Sequence, residues 1–142
     1  MFHKILVAID GSDVSKRSLQ TAIDEAKVWN AEIHAVYVIE TGMLSSIPID
    51  NTLEVIYNLL ESEGNLTMDN SRETASQAGV ELTTHIKQGH AGNEILKLAD
   101  EIGADLIILG SHGKSEIDRL LLGSVTSHVV RNSTVSTMVV RL

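Results

Sequence analysis

Two stretches of the chain contain only apolar residues, and each runs straight into a glycine turn. Ile5-Leu6-Val7-Ala8-Ile9 is closed by Asp10-Gly11-Ser12, and Leu106-Ile107-Ile108-Leu109 by Gly110-Ser111-His112-Gly113. A strand with one wet face alternates apolar and polar residues, whereas an unbroken aliphatic run is buried on both faces. Burial on both faces points to a parallel sheet covered by helices on each side. The intervening segments supply those helices. Leu19, Ala22, Ile23, Ala26 and Trp29 recur at helical spacing and predict a helix over about residues 13–30, with Ser12 or Asp13 as N-cap.

The rest of the chain continues the alternation. Ile33–Ile39 reads as a second strand, and residues 40–50, with Gly42 and the only proline, Pro48, as a loop. Leu53, Ile56, Leu60, Met68, Ala75 and Ala78 predict a long second helix, irregular near Gly64. Val80, Leu82, Thr84 and Ile86 alternate with polar residues, the pattern of an edge strand. Ile95, Leu98, Ala99 and Ile102 mark a third helix ended by Gly103; a last helix around 124–131 and a last strand, Val135–Val140, follow. Strand–helix alternation of this kind implies α/β architecture with right-handed crossovers. The expectation is a single domain over residues 1–142, an open twisted five-stranded parallel sheet with helices on both faces.

Charge and cysteine content narrow the chemistry. The formal net charge is −8, concentrated as −7 in residues 1–71 against −1 in residues 72–142. Such a balance repels nucleic-acid phosphates and anionic membranes, and sends an anionic ligand to surfaces built by the second half. Only Phe2, Trp29, Tyr37 and Tyr57 are available to stack on bases. Neither nucleic acid nor a membrane is therefore an expected partner. With no cysteine, thiol catalysis and thiolate metal sites are excluded. No stretch has the length of a signal-peptide core or a spanning helix, so the chain is expected in the cytoplasm.

In open parallel sheets ligands bind beyond the carboxyl ends of the strands, where the winding direction reverses. If the chain winds outward through strands 2 and 3 and returns to lay strand 4 beside strand 1, the order is 3-2-1-4-5 and both glycine turns meet at one crevice. The second turn is the richer one: Gly110-x-x-Gly113, nine residues, then Gly123-Ser124 at a helix start. Glycines admit a phosphate close to backbone amides, and a helix N-terminus favours an anion. The same spacing also serves plain turn geometry, and it is neither a Walker A nor a Rossmann fingerprint. His112 suits either polarisation of a γ-phosphate or a loop role through its backbone alone.

From Ala104-Asp105-Leu-Ile-Ile-Leu-Gly-Ser-His-Gly-Lys-Ser to Arg119-Leu-Leu-Leu-Gly-Ser-Val-Thr, the sequence resembles the signature of the universal stress protein family, and Val7-Ala-Ile-Asp-Gly-Ser resembles that family's opening strand and turn. The resemblance covers essentially the whole chain. It implies a Rossmann-like, adenine nucleotide α-hydrolase-like fold and the ATP-binding branch of the family, marked by Gly-x2-Gly-x9-Gly-Ser. By position, it assigns Ala8, Ile9 and Asp10 to the nucleoside and ribose side and Val38 to adenine recognition through its backbone. Leu109 and Gly110 fall beneath the nucleotide, and Gly113, Gly123, Ser124 and Val125, beside His112, at the phosphates. Mg²⁺ or Mn²⁺ held through the phosphates is implied for some members; near Asp10 that role competes with ribose binding and helix capping.

The last strand is expected at the sheet edge, where Val135, Met138, Val139 and Val140 with no proline point to a homodimer by antiparallel pairing. The family resemblance implies the same and leaves room for an unidentified protein target. Two departures stand out. The family's Cys-Pro-Val-Pro-Val is replaced by Asn132-Ser-Thr-Val-Ser-Thr137, Glu116 stands where glycine is common, and Lys114 and Arg119 flank it. His85 and His90 are expected to be solvated. Ser111 and Ser115 are ordinary turn serines or phosphorylation sites, and no nucleophile has an evident base. The reading is an ATP-binding regulatory or sensor protein. A slow ATPase or phosphotransferase using His112 or Asp10, and a nucleotide-free interaction module, are the alternatives.

Overall fold

The computed structural model describes residues 1–44, 51–113 and 122–142. Its strands are β1 (Lys4–Ala8), β2 (Glu32–Glu40), β3 (Leu82–Gly89), β4 (Leu106–Gly110) and β5 (Ser136–Val140). Its helices are α1 (Asp13–Trp29), α2 (Asn51–Gln77), α3 (Ala91–Ile102) and α4 (Ser124–Asn132), with a 3₁₀ turn at Thr41–Leu44 that the sequence pattern did not signal. All five strands are parallel, in the order β3-β2-β1-β4-β5. The predicted order and the two-sided burial of the first and fourth strands are therefore both observed.

Alternation along the inner strands separates two cores. Ile5, Val7, Ala35, Tyr37, Ile39 and Ile108 pack with Leu19, Ile23 and Ala26 of α1 and Met68 and Ala75 of α2. Leu6, Val36, Ile107 and Leu109 pack on the other face with Ile95, Leu98 and Ala99 of α3 and Val129 of α4. Ile5, Leu6, Val7 and Ile108 are fully buried. At about 25 cal/mol per Å² of apolar surface removed from water, these central strands carry much of the folding free energy.

Caps fix the helix limits. The Ser12 hydroxyl accepts from Ser15 N–H at 3.2 Å and starts α1; Gly103, with φ of 71°, closes α3. Helix α2 is continuous through Gly64, against the irregularity expected there. The glycine is instead a packing requirement, because an added Cβ would stand 2.8 Å from Cδ1 of Tyr37. The last strand begins one residue later than predicted. Val135 precedes it and packs into the α3–α4 core, while the Ser133 hydroxyl donates to Val135 O at 2.8 Å and accepts from its N–H at 3.1 Å. That serine turn closes the stretch where the family's prolines are absent, and β5 follows as a regular strand. Pro48 and most of the loop around it lie outside the described residues.

Candidate functional site

The winding reverses between β1 and β4, so the two glycine turns lie side by side at the carboxyl edge of the sheet. They touch: a Cβ added at Gly113 would sit 2.9 Å from Oδ2 of Asp10. The other Asp10 carboxylate oxygen accepts from Ser12 N–H at 2.9 Å, which turns the chain from β1 into α1. Asp10 is thus held by its own turn with one oxygen while the second faces the β4 turn.

Beyond β4 the chain is pinned at several points. Ser111 N–H donates to Val140 O at 2.8 Å, and Gly123 N–H to Ser111 O at 2.7 Å. Thr126 Oγ donates to the Gly110 carbonyl at 2.6 Å. These bonds hold the start of α4 against the end of β4. Gly123 caps α4 with extended backbone and has no side chain to satisfy the first turn. The N–H groups of that turn have no intrahelical acceptor and carry the positive end of the helix dipole. A Cβ at Gly123 would come 3.2 Å from the His112 Cα. The edge is therefore a backbone-lined cradle at a helix N-terminus, an arrangement that can favour an oxyanion.

The third wall is β2. Its last rung to the β1 segment runs from Ile9 N–H to Val36 O at 2.9 Å. Peptide groups two residues apart on a strand point the same way, so the Val38 N–H and C=O point past the end of that ladder, where β1 has turned away at Asp10. Ala8, Val38 and Val125 are half-buried against the α3–α4 core, which gives the crevice an apolar floor.

The structure thus gathers Ala8, Ile9, Asp10, Val38, Leu109, Gly110, His112, Gly113, Gly123, Ser124 and Val125 along one sheet edge. Ile9, Leu109 and Gly110 are buried, Ser124 is exposed, and the others are intermediate. Lys114, Ser115, Glu116 and Arg119 lie outside the described residues. Among the described residues no group of three or more His, Asp or Glu converges to hold a metal, and no helix is long and apolar enough to cross a membrane.

Residues 1–141 match the model of the universal stress protein family. The chain belongs to that family. Universal stress protein MJ0531 of Methanocaldococcus jannaschii is 36% identical over 141 residues, spanning 99% of this chain and 83% of the relative. The solved structure of protein MJ0577 from the same organism has a TM-score of 0.88 at 30% identity, over 100% of this chain and 97% of that one. A universal stress protein solved in complex with cAMP has a TM-score of 0.71 at 27% identity, over 98% of this chain and 96% of that one.

Within this universal stress protein several polar ties had no sequence signal. Thr126 is one, since a threonine in a helix announces no partner. Glu40 is another: its carboxylate accepts from Ala91 N–H at 2.9 Å and so joins the end of β2 to the start of α3. Ser111 is 3% exposed and shares a 3.0 Å hydrogen bond with His112 Nδ1. One of the two histidine expectations is corrected, and the other, for His90, is met. His85 is half-buried and bonded to His34, not solvated. His90 is exposed, yet its Nδ1 accepts from Asn93 N–H at 3.2 Å and caps α3.

Proposed function

We propose that the protein binds ATP at the carboxyl edge of its sheet and acts, as one unit over residues 1–142, as a nucleotide-dependent regulatory protein of the stress response. The observation that carries this reading is the cradle of Gly113, Gly123 and the first turn of α4 against Asp10. A Cβ at Gly113 would stand 2.9 Å from Asp10 Oδ2 and one at Gly123 3.2 Å from the His112 Cα, so the absence of side chains there suits phosphate oxygens that would meet main-chain N–H groups. Gly113, Gly123, Ser124 and Val125 take the phosphates, with His112 beside them, and the second Asp10 oxygen takes a ribose hydroxyl. Ala8, Ile9, Leu109 and Gly110 form the floor, and the outward-pointing peptide groups of Val38 recognise the adenine edge. The cAMP complex of a structural relative supports an adenine nucleotide as the ligand class. Bound ATP supplies the polyphosphate charge that the α4 dipole favours, and Mg²⁺ or Mn²⁺ enters only as that polyphosphate's counter-ion near Asp10.

The same reading includes a homodimer through β5 and a protein target that senses the nucleotide state. Strand β5 is an edge with no proline. Val140 C=O faces β4, where it accepts from Ser111 N–H; by alternation the N–H and C=O of Thr137 and Val139 face outward. Unpaired edge groups beside Met138, Val139 and Val140 suit antiparallel pairing with a second copy about a two-fold axis.

The test is to denature the purified protein, identify any nucleotide released, and then incubate refilled protein with ATP for hours. Recovery of intact ATP is the expected result. ADP formed at a catalytic rate would replace the sensor by a slow ATPase or phosphotransferase. Protein that neither carries nor takes up nucleotide would leave an interaction module.

A further inference from the structure

A chain of polar side chains crosses three strands on the α3 side of the sheet, at the end opposite the nucleotide cradle. Lys4 of β1 donates to the Ile102 carbonyl of α3 at 2.8 Å and pairs with Glu32 of β2 at 3.8 Å. The second Glu32 oxygen lies 2.7 Å from Nε2 of His34, and Nδ1 of His34 lies 2.8 Å from Nε2 of His85 on β3. The two imidazoles are nearly coplanar, 14° apart. His34 is 7% exposed and His85 half-buried. Nothing in the nucleotide site uses these groups.

Hydrogen-bond chemistry fixes what the pair tolerates. A carboxylate only accepts, so His34 Nε2 carries a proton and donates to Glu32. In the neutral pair His34 Nδ1 is then bare and accepts from His85 Nε2–H. One added proton is accommodated: it enters at His85 Nδ1 while the Nε2 proton passes to His34 Nδ1, so that His34 donates at both nitrogens and His85 accepts at Nε2. A second added proton sets N–H against N–H across 2.8 Å, and the contact breaks. The charged neighbours are Lys4 on β1, Glu32 on β2, Lys87 on β3 and Glu101 on α3. Burial, then the charges of His34 and Lys87, push the His85 imidazole below its usual range, with Glu101 opposing them.

We propose that Glu32, His34 and His85 form a proton-responsive latch that fastens the edge strand β3 to the sheet and opens when the pair takes up its second proton. Because protonation of His85 is disfavoured while β3 is docked, opening takes up a proton. The stabilisation is complete above the ordinary histidine range, near pH 6.5, and is lost as the pH falls below it.

The test is native-state hydrogen exchange on the full chain at about pH 7.5 and about pH 5.5, with protection factors corrected for intrinsic rates. In the parent, β3 amides should lose several-fold in protection on acidification, up to the roughly tenfold that uptake of one proton at the ordinary histidine value allows between these pH values. His85→Gln keeps a partner for His34 but cannot titrate, so its β3 protection should change by less than about twofold. His3→Gln, on an exposed residue, should behave as the parent. A parent whose β3 protection is pH-independent, or a His85→Gln protein that loses as much as the parent, overturns the latch. Nitrogen-detected imidazole spectra of the parent give a second readout needing no variant. Linked titration of His34 and His85 supports the latch, and independent titration refutes it.

Discussion

Replacing Gly123 by valine is the sharpest perturbation of the cradle. The residue has φ of −61° and ψ of 159°, which any amino acid adopts, so backbone strain plays no part. The cost comes from the Cβ placed 3.2 Å from the His112 Cα, and from two further methyl groups in the space where phosphate oxygens would meet the first turn of α4. Overpacking of this size costs about 1–3 kcal/mol against a typical folding margin of about 5–15 kcal/mol, so the variant folds. Binding suffers more. Main-chain hydrogen bonds to a charged acceptor are worth about 1.5–3 kcal/mol each, and losing two removes at least about 3 kcal/mol. At about 1.4 kcal/mol per tenfold, ATP affinity should fall roughly a hundredfold or more, with Gly123→Ala in between. Calorimetric titration with MgATP, alongside a circular-dichroism melt, reads both quantities. A folded Gly123→Val protein with parental affinity would refute the cradle and the phosphate positions that depend on it.

Three further outcomes are expected. Val139→Pro removes an N–H that faces the open edge and leaves the β4 ladder intact, so light scattering should show a dimeric parent and a shift towards monomer; a monomeric parent at tens of micromolar contradicts the β5 interface. Gly92→Ala would place a Cβ 2.5 Å from Cδ2 of His128, whose Nε2 donates to Asn93 Oδ1 at 2.7 Å; separating α3 from α4 should cost about 1–3 kcal/mol and lower Tm by several degrees, and an unchanged Tm would mean the histidine moves freely. Burial pushes the Asp105 carboxyl up, but the backbone N–H groups of Lys4 and His3 outweigh it and hold the carboxyl below its usual range. Its stabilisation is therefore present above about pH 3.8 and lost as the pH falls through its lower native value, so the denaturation midpoint of Asp105→Asn should drop less on acidification than the parent's.

What the sequence disclosed follows from range. Periodicity and capping are local, so Ile5–Ile9, Leu106–Leu109, Ser12 and Gly103 announced their elements directly. The meeting of the two glycine turns followed from one topological rule applied to those elements. Contacts between distant side chains leave no such trace. His34 and His85 stand 51 residues apart, and a lone histidine in an alternating strand looks the same whether it faces water or another imidazole. Glu40, capping α3 across the end of the sheet, and Thr126, tied to the Gly110 carbonyl, were silent for the same reason. Gly64 misled because an interior glycine reads as a helix weakness until the ring of Tyr37 lies over it.

The position of β1 in the middle of the sheet has a consequence for how the chain is made. Its partners on one side arrive early, since β2 follows α1 directly. On the other side lies β4, and Asp105, just before that strand, binds Lys4 across 101 residues of chain. At about 5–20 residues per second, the ribosome needs roughly 5–20 s to deliver that segment. Only near the end of this interval, once β3 (Leu82–Gly89) has been made, are β1, β2 and β3 all present, and the apolar side of β1 that β4 covers is then still a bare edge. Loop-closure entropy makes the β1–β4 pairing late in refolding as well. The nascent chain is therefore most vulnerable to aggregation just before β4 emerges, and the glycine cradle, which needs the turns after both β1 and β4, is among the last parts of the molecule to be completed.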